Sequence, residues 1–77
     1  MPIKMYTVAS SPWCEKAKAF LTSKGRPFEE IDVGRDRVRL EELRNLSGQI
    51  GVPVTTDGRT IFIGFNEAAL EELARRV

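Results

Sequence analysis

The residues most able to do chemistry form the segment Ser11-Pro12-Trp13-Cys14. Ser11 is a favourable N-cap, because its hydroxyl accepts a hydrogen bond from an unpaired N–H of the first helical turn. Pro12 then falls at the first helical position, where its missing N–H costs nothing. Cys14 follows about one turn inside, near the positive end of the helix dipole, which favours the thiolate of an accessible cysteine. The segment therefore predicts a helix start that carries a candidate reactive thiol.

The same residues also have a purely structural interpretation. Ser-Pro before a helical stripe is a common cap, and a lone cysteine in a helix is more often a small buried hydrophobic residue than a reactive thiol. Nucleophilic catalysis by Ser11 needs an activating base, and the chain contains no histidine. With no histidine and one cysteine, the composition also excludes a structural zinc site. The residue types alone leave both interpretations of Cys14 open.

Four segments of strand character surround this helix start. Apolar runs and period-two alternation predict strands at 3–8, 28–33, 52–56 and 60–63. Asp57-Gly58, between the last two, predicts a two-residue hairpin loop. The third and fourth strands should therefore pair antiparallel.

Three apolar stripes of helical period complete the pattern. The first helix is predicted from Pro12 to a stop at Gly25, and the second from an Asp36 cap to Gly48 or Gly51. The third is predicted after an Asn66 cap. The apolar positions of these helices are Trp13, Ala17, Phe20 and Leu21; Leu40, Leu43, Leu46 and Ile50; and Leu70, Leu73 and Val77, with Phe65 placed to pack on Leu70.

The element order β-α-β-α-β-β-α predicts an α/β fold with a four-stranded mixed sheet flanked by three helices. We expect residues 1–77 to form a single domain and a monomer. The net charge of +1 and the interleaved charges indicate no nucleic-acid partner, and no apolar run is long enough to span a membrane. The single cysteine rules out an internal disulfide. Without a signal-like N-terminus, we expect a cytoplasmic location.

The spacing of several short motifs resembles that of glutaredoxins. The matching positions are Tyr6-Thr7, Pro12-Trp13-Cys14, Ala17-Lys18-Ala19, Ser23-Lys24-Gly25, Val52-Pro53 and Gly64. The resemblance covers essentially the whole chain and implies a thioredoxin-like fold and thiol–disulfide oxidoreductase activity. The chain resembles in particular the small bacterial glutaredoxin-like proteins of the NrdH-redoxin type.

The resemblance assigns a catalytic role to the first position of the motif. The family usually reads Cys-Pro-Tyr-Cys here, so Ser11 occupies the nucleophile position and Cys14 the resolving position. Serine cannot replace a thiolate in disulfide exchange, and we expect little or no dithiol activity from the chain. Our hypothesis is a deliberate Cys→Ser change, with a natural serine variant as the alternative. Because cluster ligation in the family uses position 11, iron–sulfur binding is not expected either.

The resemblance also assigns a substrate-binding groove to Pro12, Trp13, Val52, Pro53, Gly64 and Phe65. In the thioredoxin-like fold the proline at position 53 follows a cis peptide bond and faces the active site. The residue before it, Val52, offers its main-chain N–H and C=O to an extended substrate. Trp13 is expected to be a partly exposed contact beside the motif.

The electron donor implied by the resemblance is glutathione or thioredoxin reductase, with no bound cofactor. Members that use glutathione commonly have Gly-Gly followed by an acidic residue after the last strand, where this chain has Gly64-Phe65-Asn66-Glu67. They also often carry a basic residue at the position of Val8. Both departures weaken the capture of glutathione carboxylates, which calls for N–H groups and cations. The expected partners are a protein disulfide or a glutathione mixed disulfide, and thioredoxin reductase.

Two other functions are compatible with the same sequence. The chain could be a non-catalytic thioredoxin-fold module that binds a peptide or a partner in the same groove. Slow monothiol chemistry at Cys14 is the other, and it would appear as thiol labelling without unfolding.

Overall fold

The computed structural model describes residues 2–76, and its elements follow the predicted order. The strands are β1 (Lys4–Thr7), β2 (Glu29–Asp32), β3 (Val54–Thr56) and β4 (Ile61–Ile63), and the helices are α1 (Pro12–Ser23), α2 (Arg37–Ser47) and α3 (Glu67–Arg75). Each element starts or ends within two or three residues of its predicted bounds. The β-α-β-α-β-β-α order is confirmed.

The four strands form one mixed sheet in the spatial order β2-β1-β3-β4. β1 and β2 pair in parallel, with Tyr6 opposite Ile31, because α1 provides the crossover between them. β3 pairs antiparallel with β1 and with β4. The predicted four-stranded mixed sheet with three helices is therefore confirmed, and the carboxyl end of the central strand β1 leads directly into α1.

Two apolar cores cover the two faces of the sheet. Successive residues of β1 point to opposite faces, so Met5 joins one core and Tyr6 the other. The first core includes Ala17 and Leu21 of α1 with Leu70 and Leu73 of α3, and the second includes Leu43 of α2. Each fully buried leucine contributes roughly 1.5–3 kcal/mol of transfer free energy. Helix α1 is thus held against the sheet from its first turn onward.

Tyr6 also links the sheet to α2 through a side-chain hydrogen bond. Its buried hydroxyl donates to Oε2 of Glu42, and Arg39 donates to the other oxygen of that carboxylate at 2.8 Å. Burial, followed by the bond to Glu42, raises the pKa of Tyr6 to about 12. The tyrosine is therefore neutral at any physiological pH and acts as a donor that orients α2.

The predicted helix caps of α2 and α3 are confirmed. Asp36 Oδ1 accepts hydrogen bonds from the N–H groups of Val38 and Arg39, at 3.0 and 3.3 Å. Asn66 Oδ1 accepts from the Ala69 N–H at 3.0 Å. α2 ends at Gly48, whose φ of 77° lies in the left-handed region that favours glycine.

Two predicted apolar positions lie outside the helical faces assigned to them. Ile50 follows the end of α2 and is exposed, because Gly48 ends the helix before the stripe is complete. Trp13 lies on α1 but points away from the core that holds Ala17 and Leu21. Val77, assigned to the apolar face of α3, lies outside the described residues. No helix within residues 2–76 is long and apolar enough to cross a membrane.

The predicted two-residue hairpin is wrong, because β3 and β4 are joined by the four residues 57–60. The buried carboxylate of Asp57 stabilises this longer turn. Its Oδ1 accepts hydrogen bonds from the N–H groups of Arg59 and Thr60, both at 2.9 Å, and its Oδ2 accepts from Arg76 at 3.1 Å. A side chain that satisfies two turn N–H groups favours the wider loop over a tight turn.

The turn should make stability depend on pH. The N–H groups of Thr60 and Arg59, with the Arg76 guanidinium, lower the pKa of Asp57 from 3.8 to about 2. A lowered folded-state pKa contributes stability that is present above about pH 4 and lost as the pH falls through about 2. We expect Asp57→Asn to lower the free energy of unfolding by roughly 1–2 kcal/mol at neutral pH, measured by urea denaturation.

The loss caused by Asp57→Asn should shrink as the pH falls from about 4 to about 2, because the wild-type carboxyl then takes up a proton. Asp36→Asn is the matched control, since asparagine caps a helix as well as aspartate does. A difference between Asp57→Asn and wild type that stayed constant over this pH range would contradict the assignment.

Candidate active site

Ser11 caps α1 as predicted, at the point where the chain leaves the sheet. Its backbone is extended, its N–H donates to the Val8 carbonyl at 3.4 Å, and its Oγ accepts from the Cys14 N–H at 3.3 Å. The side-chain atom of residue 11 is thereby fixed beside an N–H of the first helical turn. Any anion that formed at this atom would be stabilised by that N–H and by the helix dipole.

Cys14 lies in the first turn of α1 and is fully buried, with 0% of its surface exposed. It belongs to the inward face of the helix, one turn before Ala17 and two before Leu21. This burial agrees with the structural interpretation of Cys14 as a small buried residue. In this conformation a reagent in solution cannot reach the Cys14 thiol.

Five of the six residues predicted to bind substrate line one open groove of about 270 Å³: Trp13, Val52, Pro53, Gly64 and Phe65. The sixth, Pro12, is exposed at the start of α1 and does not line it. The Val52–Pro53 peptide bond is cis. The Gly64 N–H donates to the Pro53 carbonyl at 2.7 Å, which ties the end of β4 to the loop before β3. The groove thus has a floor built from two loops and a wall built from α1.

The main chain of Val52 is available to a ligand. Val52 precedes β3, and within residues 2–76 neither its N–H nor its C=O makes a hydrogen bond. An unpaired donor and acceptor on one residue is the pattern that an extended peptide completes by strand addition. The groove can therefore bind a polypeptide backbone as well as apolar side chains.

Aromatic rings form one side of the groove. Trp13 is 55% exposed, and its ring centroid lies 6.2 Å from that of Phe65. Phe65 in turn packs edge-on against Phe20 at 6.5 Å, and the Lys16 ammonium lies 4.6 Å from the Trp13 ring centroid. The expected exposed position of Trp13 is confirmed. Lys16 was not predicted from the sequence, although its spacing of three residues from Trp13 is a signal for contact on a helix.

A polar network on the other side of α1 ties the helix to β1 and β2, and the sequence analysis missed it. Thr7 Oγ1 donates to Glu30 at 2.8 Å, and Lys18 bonds Glu30 at 3.0 Å and Glu15 at 2.7 Å. Hydrogen bonds from Lys18 and then Thr7 lower the pKa of Glu30. The network fixes the first half of α1, and with it residues 11 and 14, relative to the sheet.

The start of α3, which follows Phe65 of the groove, carries a negative charge. The Asn66 side chain already accepts the Ala69 N–H, and Glu67 places a negative charge in the first turn of α3. A ligand carboxylate at this helix start would meet the like charge of Glu67. Within residues 2–76, no group of three or more His, Cys, Asp or Glu side chains is placed to hold a metal ion.

Comparisons with known proteins identify related chains. Residues 3–61 match the glutaredoxin family model. The chain is 40% identical over 74 residues to a glutaredoxin-like 8.6 kDa protein in the rubredoxin operon of Clostridium pasteurianum, covering 96% of this chain and 99% of that protein. It is 37% identical over 51 residues to glutaredoxin 3 of Escherichia coli, covering 66% of this chain and 61% of that one.

Solved structures give the same relationship. The glutaredoxin grx-1 of Archaeoglobus fulgidus superposes with a TM-score of 0.89 at 30% identity, over 96% of this chain and 86% of that one. The glutaredoxin-like protein NrdH-redoxin of Escherichia coli, described as having a thioredoxin-like activity profile, superposes with a TM-score of 0.85 at 29% identity. That match covers 95% of both chains.

The burial of Cys14 predicts slow thiol labelling. Because the chain has one cysteine, labelling by iodoacetamide reports only on the opening of α1. We expect native labelling to be at least about a hundredfold slower than labelling in denaturant, since α1 must open before the thiol is reached. Labelling followed by mass spectrometry, with stability monitored in parallel, measures both rates. Fast labelling of the intact fold would instead indicate an accessible monothiol at Cys14.

Proposed function

The chain belongs to the glutaredoxin family, and from that premise we propose that it is a thiol–disulfide oxidoreductase whose nucleophile position, residue 11, carries serine. One observation carries the proposal. At the start of α1, the Ser11 side chain accepts a hydrogen bond from the Cys14 N–H. Two residues after Ser11, Trp13 lines a groove in which the main-chain N–H and C=O of Val52 are unpaired. A thiol at position 11 would have a stabilising donor, a neighbouring resolving thiol and a place for its substrate.

The chemistry of the cysteine form follows from thiol–disulfide exchange. A thiolate at position 11 attacks one sulfur of the substrate disulfide, so the S–S bond breaks and a mixed disulfide forms. The first half of the substrate leaves as a thiolate, which takes up a proton from solution. The Cys14 thiolate then attacks the sulfur at position 11 and releases the second substrate thiol. The two residues are left as a disulfide, and an external donor must supply two electrons and two protons to reset them.

Serine at position 11 stops this cycle at its first step. The hydroxyl stays protonated near neutral pH, and the chain contains no histidine to activate it. Cys14 cannot act in its place from a fully buried position. The expected loss of activity therefore comes from one atom, the side-chain oxygen of Ser11 in place of a sulfur. The helix, the resolving thiol and the groove are retained. The serine is either a deliberate substitution or a natural variant, and both lead to the same inactive site.

The groove supports a protein disulfide as the substrate. An extended segment beside the substrate cysteine would pair with the N–H and C=O of Val52, and its apolar side chains would contact Trp13 and Phe65. Backbone pairing of this kind is independent of sequence, as a carrier that reduces several proteins requires. A reducing cytoplasmic setting suits such a carrier.

The start of α3 supports thioredoxin reductase over glutathione as the electron donor. Glutathione carries two carboxylates, and Glu67 with the satisfied Asn66 cap offers them no positive partner. The structural similarity to an NrdH-redoxin with a thioredoxin-like activity profile agrees with this choice. A glutathione mixed disulfide is the alternative substrate to a protein disulfide.

Restoring the cysteine should restore activity. We expect Ser11→Cys to raise the rate of insulin disulfide reduction by roughly two orders of magnitude or more over the parent chain, because only a thiolate performs the first step. Ser10→Cys is the matched control: it adds one thiol a residue away, on the exposed turn before the cap, and should give no comparable gain. Assays with NADPH and thioredoxin reductase, and separately with the glutathione system, identify the donor.

Three results of this assay have different meanings. Activity of Ser11→Cys with thioredoxin reductase supports the whole proposal. Activity with the glutathione system alone would show that glutathione, and not thioredoxin reductase, is the electron donor. If neither donor supports reduction by Ser11→Cys, the oxidoreductase assignment is wrong and a peptide-binding role for the groove is left.

A further inference from the structure

Strand β4 forms one free edge of the sheet and is unusually apolar for an edge. It pairs only with β3 among the described strands. Ile61 and Ile63 are 39% and 55% exposed, and their register opposite Thr56 and Val54 places both on the face covered by α2. Edge strands usually carry charges or proline that prevent pairing with another chain. β4 itself, Ile61-Phe62-Ile63, carries neither.

The hydrogen-bond pattern shows which main-chain groups this edge offers. The Gly64 N–H donates to the Pro53 carbonyl, so the pair 53/64 is a hydrogen-bonded pair of the antiparallel ladder. Hydrogen-bonded and non-hydrogen-bonded pairs alternate along an antiparallel ladder. Phe62 and Thr55 therefore form the next hydrogen-bonded pair, whereas Ile61 and Ile63 belong to non-hydrogen-bonded pairs. The N–H and C=O groups of both isoleucines therefore point away from the sheet.

We propose that β4 pairs antiparallel with β4 of a second copy of this chain, around a two-fold axis through Phe62. In this register Ile61 of one copy lies opposite Ile63 of the other. Each such pair exchanges two hydrogen bonds, so the four outward N–H and C=O groups of each strand are all satisfied. The four isoleucines then pack together on one face as β-branched cross-strand pairs. The edge is self-complementary in main chain and in side chain.

Charge at the two ends of the strand favours the same arrangement. Arg59 precedes β4 and Glu67 follows it, both are exposed, and neither forms an ion pair with another described residue. In this antiparallel register position 59 of one copy lies opposite position 65 of the other, so the long side chain of Arg59 extends toward Glu67, two positions further along at the start of α3. A parallel arrangement would instead bring like charges together.

The dimer also reaches the groove of each copy. Phe65, which lines the groove, lies between β4 and Glu67, at the end of the strand that Arg59 of the second copy approaches. Three-residue strands bury little surface, so the association is weak and the chain is a monomer when dilute. This inference goes beyond the proposed redox function and needs no thiol at position 11.

Sedimentation equilibrium tests the proposal on the chain as it exists, from about 10 µM to about 1 mM. A reductant is present throughout to exclude a disulfide through Cys14. We expect a reversible monomer–dimer equilibrium that Ile63→Lys abolishes. Val38→Lys is the matched control, since it adds the same charge at an exposed position on α2 and should leave the equilibrium unchanged.

Charge variants test the register. Arg59→Glu and Glu67→Arg should each weaken self-association at least about tenfold, because both place like charges at the ends of the paired strands. An equimolar mixture of the two should associate, since opposite charges then face each other at both ends. In the control mixture, Arg37→Glu replaces Arg59→Glu with the same net charge at an exposed site on α2. Arg37→Glu keeps the wild-type edge and pairs with itself, but it should form much less heterodimer with Glu67→Arg than Arg59→Glu does.

Each alternative result overturns the proposal. A monomer at every concentration shows that the edge does not self-associate. A dimer that persists in Ile63→Lys uses another surface. Equal amounts of heterodimer in the test and control mixtures show that net charge, and not pairing of Arg59 with Glu67, brings the chains together.

Discussion

The site depends on one hydrogen bond, from the Cys14 N–H to the Ser11 side chain, because it determines where α1 begins. β1 ends at Thr7, the chain turns over three residues, and the cap fixes the helix so that Cys14 faces the core. A good cap and a good nucleophile make different demands on the same position. Serine is among the best N-caps, whereas disulfide exchange needs sulfur. Ser11 meets the first demand.

The groove is built by contacts between parts of the chain that are far apart in sequence. The bond between Gly64 and Pro53 joins the end of β4 to the loop before β3, and Trp13 of α1 closes the side by packing on Phe65. The Thr7–Glu30–Lys18 network holds α1 in register with the sheet. None of these contacts involves the side chain of residue 11, so the groove and the position of α1 do not depend on which residue stands there.

Local signals in the sequence were sufficient for most of the fold. Caps at Ser11, Asp36 and Asn66 were predictable because a short polar side chain satisfies N–H groups within three residues of itself. The hairpin length was not, because it depends on Asp57 bonding two turn N–H groups and on Arg76, which lies 19 residues away. The cis Val52–Pro53 bond and the groove came from the family resemblance, because no local pattern distinguishes them. Network contacts such as Thr7–Glu30 depend on strand register, which periodicity does not reveal.

The central claim is that position 11 and Cys14 form a redox pair in the first turn of α1. The most direct measurement is the mass of Ser11→Cys after mild oxidation, with Ser10→Cys oxidised in parallel. We expect oxidised Ser11→Cys to lose the mass of two hydrogen atoms and to have no free thiol, whereas Ser10→Cys forms no internal disulfide. Two free thiols in oxidised Ser11→Cys, or cross-linked chains only, would contradict it.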